Sequence, residues 1–378
     1  MTLEQTIRSI INPSSAGRTG NHERDTGLIL CYYGFDDEPC PTMDEVGEKY
    51  EIGTSSGRKA ERVRQIINHK LKLRTDQLNL PAFEQLKRVL NSLKNTVSRE
   101  RAVFDLLLEN KLITQPKSKK SIPSIYGLMR LLNHLCLNDG YDLYDTELNK
   151  LTREQVQQGH EGWLIHSSIY KAINKSTNLL TRLPGRYGVC DLGAIKKSEL
   201  PKSPYFKEAL EMVLCRDNCW VDQREKPLYF TLVDRENRLL NQLSKIASVH
   251  RGVPIGSLVD TLIDSFKQRS LPMGRPTKKA LNSFFMSAPI LHYNPETKMV
   301  RLNVEPGGLT DIDEHTITFL KRKDNRFSPY VPLRDYLLEQ GYSAHHITQH
   351  IRFSPLIFID RAGGRMHHIY SLVGSQTS

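Results

Sequence analysis

The chain has 378 residues, 38% of them hydrophobic, with Lys+Arg 53 against Asp+Glu 42, a formal net charge of +11 and a pI near 9.3. That length and apolar content exclude a disordered tail and suit several domains. No stretch approaches the roughly 18 apolar residues that cross a bilayer, and the opening MTLEQTIRSIINPSS lacks the parts of a signal peptide, so a soluble cytoplasmic protein is expected.

The positive charge is clustered. Residues 58–120 hold 16 Lys/Arg against 6 Asp/Glu, whereas residues 23–51 just upstream hold 9 acidic and 2 basic side chains. A local field of this kind suits a polyanionic partner. The six cysteines, Cys31, Cys40, Cys136, Cys190, Cys215 and Cys219, form no CxxC pair and no disulfide framework, which predicts reduced, mostly buried thiols. Cys215 and Cys219 could lie one helical turn apart, but no further zinc ligands stand at usual spacing.

Residues 1–20 end in NPSSAGRTGN and read as a flexible lead-in, with order beginning near His22. HERDTGLILCYYGF has apolar residues at helical spacing, and the two prolines of DDEPCP stop that helix. A second helix follows, opened by a capping box of Thr42 and Glu45, with Val46 and Tyr50 facing inward. Residues 51–58 form a polar turn. Residues 59–74 form a third helix, with Val63, Ile66, Ile67 and Leu71 on one face and Arg62, Arg64, Gln65, Lys70 and Lys72 around the rest. This order is that of a helix-turn-helix, and its last helix is the candidate for the major groove. Its apolar face is too small for a membrane, and no aromatic strip accompanies the charge as RNA stacking would need, so double-stranded DNA is the expected partner.

Further helix runs from Leu80 to Asn110, and QPKSKKS is the best linker. Beyond it a pattern recurs three times: a helix, then two short apolar stretches around a Gly, Pro or Asn turn. TNLLTRLPGRYGVCDL (177–192), APILHYNPETKMVRLN (288–303) and SPLIFIDRAGGRMHHIYSL (354–372) each read as a β-hairpin. Helices followed by a hairpin describe a winged helix. The expected fold is therefore mainly α with small β-hairpins, a helix-turn-helix followed by tandem winged-helix-like domains. The expected divisions are a lead at 1–20, the helix-turn-helix at 21–75, a basic helical segment and linker at 76–120, and winged-helix-like domains at 121–200, 201–306 and 307–378. On this reading Lys278 and Lys279 open one DNA-facing helix, and His346, His350 and Arg352 face phosphates from another.

Residues 23–74 resemble the fourth conserved region of sigma-70-type bacterial transcription initiation factors, which reads an upstream promoter element. The shared features are Glu23-Arg24, Tyr33-Gly34-Phe35, the run from Thr42 to Gly47, and the run Glu61-Arg62-Val63-Arg64-Gln65-Ile66. They cover some fifty of the 378 residues. The resemblance implies that Glu61 accepts from a cytosine amino group, that Arg64 donates to a guanine and that Gln65 pairs with an adenine or the backbone. It implies phosphate contacts from Arg62, Lys70, Lys72 and Arg74, which set affinity and salt dependence. Ala60 stands where the family usually has an Arg, and the turn between the helices is longer by about six residues, adding Ser55, Ser56, Gly57, Arg58 and Lys59 as a candidate phosphate-binding loop. Nothing resembles the aromatic-rich region with which those factors bind the polymerase clamp and open promoters, so a borrowed DNA-reading module is expected rather than an initiation factor.

Two other motifs carry weaker chemistry. His345-His346-x-x-x-His350, with His367-His368, has metal-compatible spacing but no acidic third ligand. Glu296 and Lys298 have the ExK spacing of some nucleases, within what is more simply an Asn-Pro hairpin turn. With no phosphate loop and no nucleophile elbow, no cofactor or metal is expected, and enzyme is the minority reading. Three functions fit: a transcriptional regulator in a bacterial cytoplasm, associated with the nucleoid; the DNA-recognition subunit of a mobile-element or anti-phage defence complex; and, behind both, an enzyme with an unrecognised site. RNA polymerase or another protein complex is a candidate partner, and a homo-oligomer is allowed.

Overall fold

The computed structural model describes every residue except 12–19, 36–39, 54–55, 72–79, 115–124, 223–227, 234–236, 268–273, 323–325, 363–367 and 376–378. Two compact units emerge, residues 1–175 with 203–209, and residues 176–202 with 210–378.

The first unit begins with a helix, not a lead-in. Helix α1 (Leu3–Ile11) buries Leu3, Ile7, Ile10 and Ile11 along one face. Its start is fixed by Thr2 and Gln5, each side chain accepting from the other's backbone N–H at 3.2 and 3.0 Å, and by Leu3 donating to the Leu112 carbonyl at 2.7 Å. Helices α2 (Gly20–Tyr32), α3 (Met43–Lys49) and α4 (Ser56–Lys70) follow. Helix α3 carries the expected capping box: Thr42 accepts from Glu45, and the Glu45 carboxylate accepts from the Thr42 N–H. Leu28, Ile29, Val46, Val63 and Ile67 share one core with α1.

The same core continues into α5 (Pro81–Ser92), β1 (Ser98–Arg99), α6 (Glu100–Glu109), α7 (Ile125–His134), β2 (Tyr141–Tyr144) and β3 (Trp163–His166), with the short α8 (Arg153–Gln157) between the last two strands. Strand β3 lies between β1 and β2, antiparallel to both, with Ser98 opposite Leu164 and Tyr141 opposite His166. This helix–strand–helix–helix–hairpin unit spans the boundary expected at residue 121. Gly127 is where α7 approaches closest, since a Cβ there would lie 2.0 Å from the Tyr33 carbonyl oxygen.

The order recurs downstream. In the second unit α11 (Arg238–Ala247), β7 (Gly252–Pro254), α12 (Ile255–Ser265), α13 (Lys278–Ser287), β8 (Leu291–Asn294) and β9 (Met299–Leu302) make one copy. Another is made by α14 (Asp311–Lys321), β10 (Ser328–Pro329), α15 (Tyr330–Glu339), α16 (Ala344–Phe353), β11 (Ile357–Asp360) and β12 (Ile369–Leu372). In both, the last strand is central and antiparallel to its neighbours. Both hairpins fall where the sequence places them. The turn after β8 is an Asn turn, with Asn294 Oδ1 accepting from Glu296 and Thr297 N–H at 2.9 and 3.2 Å.

The expected hairpin at 177–192 does not form. Helix α9 (Ser167–Tyr187) runs through Pro184, and only β4 (Cys190–Asp191) is strand. Leu180, Leu183 and Tyr187 are buried at helical spacing, and this burial overrides the Leu-Pro-Gly turn signal. Pro184 lies in the last turn, where its carbonyl accepts from Gly188 N–H at 2.7 Å. Strand β4 pairs with β6 (Tyr229–Leu232), which pairs with β5 (Cys219–Asp222); α10 (Phe206–Leu214) precedes them. Cys215 follows α10 and Cys219 opens β5, so the two do not share a helical turn. Cys31, Cys40 and Cys190 are buried, while Cys136 and Cys215 are exposed.

Candidate nucleic-acid interface

Helix α4 divides cleanly into two faces. Val63, Ile66 and Ile67 are buried, while Arg58, Glu61, Arg62, Arg64, Gln65, Asn68 and His69 are exposed. The cationic side therefore faces solvent, and the apolar side fixes the helix against α2 and α3. Gly47 sets the approach of α3, because a Cβ there would stand 2.9 Å from the Lys59 Cβ. The capping box stiffens α3 further: the Thr42 backbone N–H, the largest cause, holds the Glu45 carboxyl below its ordinary pKa.

The side chains expected to read bases are held together in the free protein. Arg64 donates to both oxygens of Glu61 at 2.9 and 3.0 Å, Gln65 donates to Glu61 at 3.2 Å, and Arg62 donates to Gln65 at 3.1 Å. Hydrogen bonding from Arg64 lowers the Glu61 pKa and raises that of Arg64 in turn. Both side chains are exposed, so the network presents donors and acceptors to solvent in one row.

Other expected contacts are placed differently. Helix α4 starts at Ser56, so Ser56 and Gly57 belong to its first turn rather than to a loop. Ser55, Lys72 and Arg74 lie outside the described residues. Lys59 is partly buried, its Nζ 3.4 Å from Glu48. Lys70 turns toward α2, with Nζ 3.8 Å from Asp25 and 3.4 Å from His22 Nδ1, so it serves the α2–α4 contact instead of an open phosphate face. Asn68 and His69 complete the outward row and were not singled out from sequence; the 3.6-residue repeat continued from Glu61 and Gln65 finds them.

In the second unit Lys279 is exposed and Lys278 pairs with Asp260 at 2.6 Å. His346 and Arg352 are exposed on α16. His350 is not: its side chain is 7% exposed, its Nε2 lies 2.9 Å from Thr316 Oγ1 and its Nδ1 3.8 Å from Asp313. Burial lowers its pKa to about 4, outweighing the Asp313 carboxylate. It is a neutral core histidine, not a phosphate contact, and the i, i+4 spacing to His346 reflects one helix face turning into the core. Among the described residues no group of three His, Cys, Asp or Glu side chains is arranged to hold a metal ion, and no helix is long and apolar enough to cross a membrane.

Comparison of the chain with protein-family models, with curated proteins and with solved structures returns no match.

Proposed function

We propose that the protein is a sequence-specific double-stranded DNA-binding protein, acting as a transcriptional regulator through a sigma region 4-like helix-turn-helix. The observation that carries this reading is the outward row of α4, where Arg58, Glu61, Arg62, Arg64 and Gln65 are exposed above a buried apolar face. A helix so mounted suits the major groove, where carboxylate, amide and guanidinium groups distinguish base edges and the remaining cations displace counterions from phosphates. The helix–strand–helix–helix–hairpin copies are read as winged helices, additional modules that lengthen the footprint and raise affinity through effective concentration.

Selection of bound sequences from a random duplex pool, followed by footprinting and a reporter assay, tests the proposal. A regulator selects a defined motif and changes transcription from a promoter that carries it. Recovery of no motif, with equal affinity for all duplexes, defeats it.

A second reading, a recognition subunit that delivers a partner to DNA, draws support from the last copy. Phe327, Val331 and Ile369 are 50%, 51% and 40% exposed around β10, where Pro329 pairs with Ile369. Apolar side chains exposed together suit a protein partner. Copurification of a second protein at native expression, with no transcriptional effect of the chain alone, distinguishes this reading from the first.

A further inference from the structure

In each helix–strand–helix–helix–hairpin copy, the helix that leads into the hairpin holds the place of a recognition helix; these are α7, α13 and α16. A helix lying in a major groove needs an open polar face over about two turns. The three differ in how much of that face the rest of the chain takes up.

Helix α7 has almost none to offer. Ile125, Gly127, Leu128, Met129, Leu131 and Leu132 are buried, and the remaining side, with Tyr126, Arg130 and His134, meets α2. There Arg130 stacks over the Tyr32 ring at 4.4 Å and donates to the Tyr32 hydroxyl, the His134 ring lies 6.3 Å from that of Tyr33, and the Tyr33 carbonyl stands against Gly127. Only Asn133 and His134, in the last turn, are exposed.

Helix α13 loses part of its outer side to the preceding sheet. Ser283 donates to Asp222 of β5, and Trp220 of β5 donates to Ser287 at 3.3 Å and meets the Phe284 ring edge-on. With Lys278 paired to Asp260, the strip that remains is Lys279, the half-buried Asn282 and the apolar Met286. Helix α16 is different. It buries Ile347, Ile351 and Phe353, while His345, Thr348 and Arg352 are exposed and Gln349 is half-exposed. These four stand at i, i+3, i+7 and i+4, the spacing at which α4 presents Arg58, Glu61, Gln65 and Arg62. Among the described residues no other element hydrogen-bonds to the side chains of His345, Gln349 or Arg352.

We propose that the protein reads bases of duplex DNA at two places, α4 in the first unit and α16 in the second, with α7 serving as the mount of the helix-turn-helix and α13 reaching only the backbone through Lys279. The inference rests on the DNA-binding reading and adds a second site to it. Gln349 suits an adenine edge, where one amide donates and accepts together, and His345 stands in the first turn of α16, where groove helices meet bases. Arg352, in the last turn, suits a phosphate. Duplex DNA is the occupant, not a protein helix, because α16 carries no acidic side chain and exposes no large apolar one for a partner's apolar stripe.

The test is selection of bound sequences from a random duplex pool by the full chain and by Arg64→Ala, Gln349→Ala, Asn282→Ala and Asn133→Ala, with competition titrations on the duplex that the unsubstituted chain selects. Two conserved stretches separated by a spacer are expected. Gln349→Ala should weaken the selected duplex by roughly five- to a hundredfold and erase an adenine preference in the stretch that Arg64→Ala leaves intact. Asn133→Ala on α7 and Asn282→Ala on α13 should leave base preference unchanged. None of the four side chains is buried, so thermal melts should stay within about 2 °C of the unsubstituted chain and separate lost reading from lost folding. A single stretch, erased by Arg64→Ala and indifferent to Gln349→Ala, overturns the proposal while α4 stands as the reader. A stretch erased by Gln349→Ala beside none that Arg64→Ala alters keeps α16 and defeats the reading of α4 instead. Base preference lost in Asn133→Ala or Asn282→Ala, or selection of no motif, also overturns the proposal.

Discussion

Glu61 accepts from both Arg64 and Gln65 in the free protein, so these side chains are already ordered before any base is met. Under the proposed DNA-reading role, a guanine taking Arg64 would have to replace a bidentate carboxylate, and a cytosine amino group offered to Glu61 would offset that loss. Arg64→Ala is therefore expected to weaken specific binding by about 1–3 kcal/mol and to relax base preference at one position. Arg58→Ala, at an exposed cation with no base-reading partner, should weaken all duplexes alike and reduce the slope of log K against log salt by about one. Competition titrations at several salt concentrations separate the two; identical behaviour would make Arg64 a phosphate contact only. His350 gives a prediction of another kind. Its folded pKa of about 4 lies below the ordinary histidine value, so between pH 6.5 and 4 the unfolded chain binds a proton that the folded one refuses. Stability from this group is complete above pH 6.5 and is lost as pH falls toward 4. Asp313, also held low, adds a loss only at more acid pH, as pH falls through its own folded pKa. Denaturant melts should show about 2–3 kcal/mol lost between pH 7 and 4.5 from the His350 share, and His350→Gln should lack that share. The same slope in the variant would assign it elsewhere.

Among the elements, those with a local chemical start signal were the legible ones. The Thr42 and Glu45 box opens α3 as the spacing requires, and the Asn294 turn places β8 and β9. Helix α1 carried the same signals, Thr2 with Gln5 and apolar residues at 3, 7, 10 and 11, but the turn-rich NPSS that follows drew the whole segment into a lead-in. Helix α9 failed in the opposite direction. Leu-Pro-Gly is a turn signal only if the chain there is free to turn, and Leu180, Leu183 and Tyr187 are held by the core. The sequence pattern places a boundary at residue 121, inside the earliest helix–strand–helix–helix–hairpin copy, because the two-residue β1 has no hydrophobic pattern to announce it; only pairing of Ser98 with Leu164, far along the chain, makes it a strand. In the candidate interface, exposure of Glu61, Arg62, Arg64 and Gln65 follows from the helical period, whereas the sequence pattern assigns Arg58 to the turn, and Lys70 and His350 depend on partners in other elements. Because α1 shares its core with α2–α4, Ile7→Ala should cost about 2–5 kcal/mol and should lower DNA affinity under conditions where the unit is marginal. Thermal melting checks this; a shift within error would restore residues 1–11 to the role of a dispensable lead.

At the scale of the whole chain, the excess charge and the exposed helices are distributed unequally. The basic run that includes α4 lies in the first unit, while the copies in the second expose Lys279, His346 and Arg352, with Lys278 already paired to Asp260. Each phosphate neutralised contributes about 0.9 to the salt slope, so cation number in contact can be counted from binding curves. Replacing Arg58, Arg62 and Arg64 together by Ala should reduce the slope by about 2–3 and remove most sequence preference. Replacing Lys279 and Arg352 should reduce it by about 2 and should leave preference intact. If the units engage one duplex together, the second set also lowers overall affinity by shortening the footprint, and the deficit shrinks on DNA too short to reach both. Affinity that responds only to the α4 set, on long and short duplexes alike, would confine DNA contact to the first unit and leave the copies in the second for a protein or small-molecule partner.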